Sequence, residues 1–570
     1  MSVILGIHDS AFDSGASLVI DGRLTHAIQE ERVSRIKHCG GFPSGSIKAI
    51  LESASLKPSD VDHVACGNTE SELPLQVYQA YTNNSSFLDP LRSSVDRFKI
   101  RLFESYVNLM ESSNAFDRMN RTLSDSFLRH LLGKQGINAG IMRFDHHLNH
   151  AASTFYTSGF DRCLMVTADA RGDMLSSTVS LGEDGKGIEM LGKSHRRSSL
   201  GHLYGGVTEY LGFGYGDGEG KTEALAAFGQ HTSLVDKLSS QYKVEGTKII
   251  DGVGAQRLAS LKLAKVLSGY GREDIAYAVQ KTIEDIFSRV VMNAIDETGI
   301  KNVALAGGLF LNVKLNQAIL AIDDVKDIFI HPAAGDNGIP SGAAFNLYTL
   351  EETLKPTRLM HAYLGNEYTN EECERWARES GLRYEYIEDI AGHVGQELLP
   401  KDKIIGWFQG RMEYGPRALG ARSVLINPKN PGSPKKVRST IKNRPEFQPF
   451  CPSIIAEAES EYIENPKGIY TPFMIITLTA REKMMQEAPA VVFRDYSVRV
   501  QSLDKQYNPE YHRLIRAFGN ETGTPIVLNT SFNRSGEPIV YDPGHAIYDL
   551  KTCNLDYLAV GNYLIENVKR

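Results

Sequence analysis

Residues 3–31, "VILGIHDSAFDSGASLVIDGRLTHAIQEE", and residues 163–191, "CLMVTADARGDMLSSTVSLGEDGKGIEML", follow one plan. Each is an apolar strand, a loop of Asp, Ser and Gly, a second strand, a tight Asp-Gly turn (Asp21-Gly22, Asp184-Gly185) and a third strand. Short β-branched and apolar runs punctuated by Gly and Asp predict a β-meander in both places. Two meanders, each followed by helical sequence, predict a duplicated α/β fold with a cleft between its halves.

Working outward, residues from about 70 to 135 carry apolar positions at helical spacing with few breakers and are expected to form a helical insertion. Two further strand-then-loop units follow, "NVALAGGLFLN" (302–312) and "DIFIHPAAGDNG" (327–338), with small or polar residues at the strand ends where α/β proteins place ligands. From about residue 363 the chain starts afresh, with its own helix "NEECERWARESG" and strands such as "KIIGWFQG" and "TPIVLNTSF". The expected division is residues 1–362 and 363–570.

At 570 residues and 42% hydrophobic composition the chain suits more than one globular domain. A net charge of −7 argues against a surface built throughout for nucleic acid or anionic membrane. Six cysteines without a C-x-x-C pair disfavour a disulfide framework, a zinc ribbon and a redox motif, and fit a reducing cytoplasm. The start "MSVILGIHDS" lacks the features of a signal peptide, and no apolar stretch reaches the roughly 20 residues needed to span a bilayer. A soluble, unprocessed protein is expected.

Chemistry concentrates in two places. In "DHHLNHAASTF" (145–155) a helix sets His146 and His150 at i and i+4 on one face, with His147 pointing elsewhere. Asp169 and Asp336 each close a predicted strand, so both carboxylates can reach the same cleft. Two nitrogens and two oxygens suit Fe(II), Zn(II) or Mn(II). The second place is residues 411–444, where Arg411, Arg417, Arg422, Lys429, Lys435, Lys436, Arg438, Lys442 and Arg444 stand against the single acid Glu413, a local charge of +8. The charges alternate with apolar and aromatic sequence, which predicts a partly desolvated pocket for a compact polyanion. "VLNTSFN" (527–533) adds Asn529, Thr530, Ser531 and Asn533 as neutral donors. "GEGKT" (218–222) is not a P-loop, because the first glycine of that pattern is Tyr215 here. The Gly307-Gly308 pair offers backbone N–H groups to a phosphate.

Taken in order, "QEERVSRIKH" (29–38), "DHHLNHAAS", "GEGKT", "AGGLFLN", "HPAAGDNG", "GRMEYGPRALGARS" and "VLNTSFN" make the chain similar to the O-carbamoyltransferase family of nebramycin synthase and the nodulation protein NodU, over nearly its whole length. The resemblance is weakest in the insertion. It implies an N-terminal domain of the duplicated actin-like (ASKHA) class, like the metalloATPase that forms threonylcarbamoyladenosine in tRNA. It also implies a C-terminal YrdC-like α/β domain. The implied reaction has two steps: carbamoyl phosphate and ATP, with Mg²⁺, give carbamoyl adenylate and pyrophosphate, and the carbamoyl group then passes to a hydroxyl of a small natural-product or sugar acceptor. By matching motif, His146, His150, Asp169 and Asp336 resemble the family's ligands for one Fe(II). Arg417, Lys442, Arg444, Arg499, Asn529 and Ser531 would bind carbamoyl phosphate and ATP, and Lys37, Gly307, Gly308 and Asn312 would line the adenylate pocket. In one place the chain departs from the family. Where the family's first β-loop carries a histidine, this chain has Phe12, so either His8, four residues earlier, or Asp13 is expected to serve as the catalytic base or acceptor contact.

Other readings are a tRNA-modifying enzyme with the same domain pair and an actin-like ATP-binding scaffold, the latter leaving the basic stretch unexplained. Related hydrogenase-maturation carbamoyltransferases carry C-x-x-C repeats that this chain lacks. Neither nucleic acid nor membrane is an expected partner.

Overall fold

In the computed structural model, residues 1–10, 12–69, 114–251, 263–442 and 444–567 are described. Both meanders form. Strands β1 (Val3–His8), β2 (Gly15–Ile20) and β3 (Arg23–Gln29) run antiparallel to their neighbours. Strand β4 (His63–Gly67) joins β1 in parallel, and β5 (Gly140–Phe144) joins β4. The second meander is β6 (Arg162–Gly172), β7 (Leu175–Glu183) and β8 (Gly187–His195). A hairpin of β9 (Tyr242–Glu245) and β10 (Lys248–Asp251) precedes β11 (Asn302–Ala306), which lies parallel to β6, and β12 (Asp327–Ile330), parallel to β11. The sheet orders are β3-β2-β1-β4-β5 and β8-β7-β6-β11-β12, the same topology twice.

Two helices lie between the sheets. Helix Ile339–Tyr348 packs on β1 and β4, helix His146–Ser158 packs on β6 and β11, and the two helices pack on each other. Their contact is close because Gly342 has no side chain: a Cβ there would stand 1.8 Å from the Asn149 carbonyl oxygen. Both helices are therefore buried on nearly every face, which explains an unbroken run of buried residues from Asn149 to Ser158.

Residues 384–566 build a separate eight-stranded mixed sheet, with Ile405–Phe408, Arg422–Ile426, Ile526–Ser531 and Cys451–Ile455 as consecutive neighbours. Trp407 and Phe532 are fully buried in its core. The molecule is thus a mixed α/β protein with several sheets. Backbone carbonyls tie this part to the first two sheets: Arg32 Nη2 donates to Gly415 O (2.9 Å), Arg411 Nη2 to Thr25 O (3.0 Å) and Asn316 Nδ2 to Ile475 O (2.7 Å).

Of the expected helical insertion, Asn114–Lys134 is a helix, and residues 70–113 lie outside the described residues. Among the described residues no helix is long and apolar enough to cross a membrane.

Candidate metal and anion site

Asp145 caps the helix that carries both histidines, its carboxylate accepting the Leu148 N–H at 2.9 Å. The cap fixes where the helix begins, and the 3.6-residue turn then aims His146 and His150 the same way, their Nε2 atoms 3.1 Å apart. Asp169 stands within the pairing irregularity of β6, between Ala168 and Gly172, and Asp336 opens the short turn after β12. His150 Nε2 lies 3.2 Å from Asp169 and 3.7 Å from Asp336; His146 Nε2 lies 3.9 and 3.6 Å from the same carboxylates.

The four donors converge within 4.8 Å, and their chemistry fits a divalent metal. His146 Nδ1 meets Asn68 Oδ1 at 2.8 Å, and since an amide oxygen can only accept, Nδ1 carries a proton in either charge state, which leaves Nε2, facing the cluster, as the nitrogen whose proton a metal would displace. Burial opposes charge on His146, yet Asp336 and Asp169 raise it to about 9. The paired histidines hold Asp169 well below the usual carboxylate range against its burial. The cluster thus favours positive charge at its centre. His147, as expected, turns away, to Thr167 Oγ1 at 2.7 Å.

His8 is fully buried behind Asp336, its Nε2 3.7 Å from Oδ2, and it does not reach the cavity wall. Asp13 does reach the wall, where it binds His38 Nδ1 at 2.8 Å while the Phe12 ring stacks on His38, centroids 4.6 Å apart. Burial works against the His38 charge, but Asp13, Asp217 and Glu31 raise it to about 10, so it is a cation at neutral pH. Lys37 pairs with Asp217 beside it. Asp13, Glu31 and His38 also converge, but the His38 cation on Asp13 and Arg32, 3.4 Å from Glu31, already balance the two carboxylates.

The phosphate reading of Gly307 and Gly308 is corrected by their hydrogen bonds. Gly307 N–H donates to Ala334 O (2.6 Å) and Gly308 N–H to Asp169 Oδ2 (2.8 Å), so neither is left for a phosphate. The pair instead orients a cluster carboxylate. Gly307 needs its positive φ of 104°, and a Cβ there would lie 2.2 Å from Ala168 O. Asn312 caps helix Val313–Leu320 and bonds Gln280 in both directions, with an edge on the cavity.

In the basic stretch, Arg417, Arg438, Lys442 and Arg444 face the cavity, joined by Arg499, Ser531 and Lys314. Others do structural work: Arg422 binds the Gln409 and Gly410 carbonyls and lies 3.7 Å from the Phe408 ring centroid, and Lys429 binds Thr522 O. Asn529 is buried behind the wall, donating to Ala418 O and Ser453 Oγ; it shares a strand face with the wall residue Ser531 but lies two residues deeper in the sheet. Burial, then the neighbouring Arg499, lowers Arg417 to about 9 and Arg444 to about 10. Burial and Arg444 push Lys442 well below its ordinary range. Clustered cations that repel one another in a buried wall are stabilised by an anion. One cavity of about 1590 Å³ is lined by His146, Asp169 and Asp336 and by Arg417, Lys442, Arg444 and Arg499.

Sequence reasoning missed Asn68, Asp173 and Asp217. Asp173 accepts the N–H groups of Thr69 and His146 (2.8 Å each), and its only signal in sequence was a second aspartate four residues after Asp169.

The sequence profile described as "Carbamoyltransferase N-terminus" matches residues 3–345, and "Carbamoyltransferase C-terminus" matches residues 396–567. The nodulation protein NolNO of Sinorhizobium fredii is 32% identical over 97% of this chain and 79% of its own length. An uncharacterised Synechocystis protein, sll1178, is 31% identical over 99% of this chain and 97% of its own. The 3'-hydroxymethylcephem-O-carbamoyltransferase of Amycolatopsis lactamdurans is 26% identical over 60% and 64%. With both profiles matched in order along one chain, this protein belongs to the carbamoyltransferase family of enzymes.

Proposed function

We propose that this carbamoyltransferase is an ATP-dependent O-carbamoyltransferase with two reaction centres on one cavity. Residues 363–570, read as YrdC-like, form carbamoyl adenylate: water cleaves carbamoyl phosphate to carbamate and inorganic phosphate, and a carbamate oxygen then displaces pyrophosphate from the α-phosphorus of ATP. Residues 1–362, read as a duplicated actin-like unit, transfer the carbamoyl group to a hydroxyl of a small acceptor and release AMP. The observation that carries this reading is the single cavity that both clusters line. A relative named for O-carbamoylation supports a hydroxyl acceptor.

In the first step Arg417, Arg444, Arg499 and Lys442 offset the repulsion between two polyanions, and Ser531, 2.9 Å from Lys442 Nζ, orients that ammonium. Mg²⁺ accompanies the ATP. For the second step His146, His150, Asp169 and Asp336 would hold one Fe(II), which would supply Lewis acidity. Asn68 keeps His146 in the ligating tautomer, and the Gly308 N–H fixes one oxygen of Asp169. Lys37 and the His38 cation place positive charge near the leaving phosphate, and Asp13 orients His38.

The test is exchange of labelled pyrophosphate into ATP by the purified protein, with metal analysis. Exchange that requires carbamoyl phosphate, with about one iron per chain, is the expected result. Exchange that responds instead to threonine and bicarbonate would move the reading to threonylcarbamoyladenosine chemistry.

A further inference from the structure

The segment Glu413–Arg417 touches both centres, and its residues divide between them. On one side Glu413 Oε1 accepts three backbone N–H groups, from Leu419 (2.8 Å), Ala421 (2.7 Å) and Arg422 (2.9 Å), which closes the turn that presents Arg417 to the cavity. On the other side Tyr414 leaves this turn and enters the loop of the metal cluster. Its hydroxyl donates to the carbonyl of Asn337, the residue after Asp336, and its ring meets His331 edge-on, centroids 6.0 Å apart at 84°. The next residue makes this approach possible: Gly415 has φ 106°, and a Cβ there would stand 2.5 Å from Pro332 O in the same loop. Tyr414 is itself anchored, its N–H donating to Ala362 O at 2.7 Å, and it is 1% exposed. Arg417 completes the clasp, its Nη2 donating to Leu311 O at 3.2 Å in the loop whose Gly308 holds Asp169.

We propose that Tyr414 is a positioning residue for the metal: through Asn337 it fixes the turn that carries Asp336, and so joins the geometry of the metal cluster to the segment that builds the anion pocket. The proposal rests on the metal reading of the cluster given above. Residues that orient ligands without binding metal commonly change metal affinity by about 10- to 100-fold when altered. One hydrogen bond to a backbone carbonyl belongs at the low end of that range.

The variant is Tyr414→Phe in the full-length protein, which keeps the buried ring and removes only the hydroxyl. Three quantities are read: Fe(II) affinity by anaerobic competition with a chromogenic chelator, carbamoyl-phosphate-dependent pyrophosphate exchange, and the melting temperature. The expected outcome is metal affinity weaker by about tenfold, with exchange within about twofold of wild type and a melting temperature that stays close to it. Unchanged metal affinity overturns the proposal. A parallel loss of exchange and melting temperature also overturns it, because Tyr414 would then support the fold at large. A wild-type protein that binds no divalent metal overturns the metal reading and this inference together; metal bound equally tightly by both proteins overturns the inference alone.

Discussion

At Lys442 three acceptors, Ser531 Oγ, Asn533 O and Asn533 Oδ1, surround an ammonium that burial and Arg444 push toward neutrality. An arriving phosphate would restore its charge, so Lys442 contributes most when substrate is bound. Lys442→Met is expected to lower pyrophosphate exchange by about 10²- to 10³-fold, the range for losing one preorganised charge donor, while iron content stays at wild-type level. Metal analysis beside the exchange assay checks both halves. His38 has the opposite sign. Its folded value of about 10 stands above the ordinary 6.5, so the folded state binds the extra proton. The resulting stability is fully present below pH 6.5 and is lost as pH rises through 10. Urea midpoints measured across this window should fall with pH in wild type and fall less in His38→Gln. Equal slopes would show that the Asp13–His38 pair contributes no linkage.

Among the elements, helix His146–Ser158 shows how much of the site could be read in advance. The i,i+4 spacing put His146 and His150 on one face as candidate ligands and sent His147 away, because helix periodicity is local and survives any tertiary context. The paired meanders were readable for the same reason: alternation and Asp-Gly turns act within a few residues. Asn68 and Asp173 were hidden because they act across 78 and 27 residues on His146 and leave no spacing. Asn529 sits within a recognisable motif but is buried, its amide taken by Ala418 O and Ser453 Oγ, long-range partners that sequence does not state. The glycine pair misled because a Gly-Gly turn serves a phosphate and a carboxylate equally well, and here Asp169 takes the N–H. Close packing sharpens the helix's role. At Gly172 a Cβ would lie 2.0 Å from the His146 ring, with no room for the ring to move in a buried cluster. Gly172→Ala is therefore expected to abolish metal binding by displacing a ligand, with pyrophosphate exchange retained. Chelator competition and exchange on the same preparation test it, and wild-type metal affinity would show that the ring can yield.

Across the whole molecule, the two proposed centres share one cavity but no side chain. The metal cluster is built from strand ends and a helix between the first two sheets, and the cationic wall comes chiefly from residues 417–531, with Lys314 contributed from the other side. Chemistry at one centre can therefore be removed while the other is kept. Stripping a bound metal would leave Arg417, Lys442, Arg444 and Arg499 in place, since their partners are the Leu311 carbonyl, Ser531 and Asn533, the Phe450 ring and Cys451, and none belongs to the His146–His150–Asp169–Asp336 cluster. Metal-free protein is expected to keep most of its carbamoyl-phosphate-dependent exchange and to lose product formation on a hydroxyl acceptor by at least about 10²-fold, in line with the loss of one electrostatic stabiliser. Returning iron should restore transfer without altering exchange. Both rates are measured on one sample before chelation, after it and after reconstitution. If exchange and transfer fell together, the cavity would be working as one centre, and the division of the reaction between residues 1–362 and 363–570 would have to be abandoned.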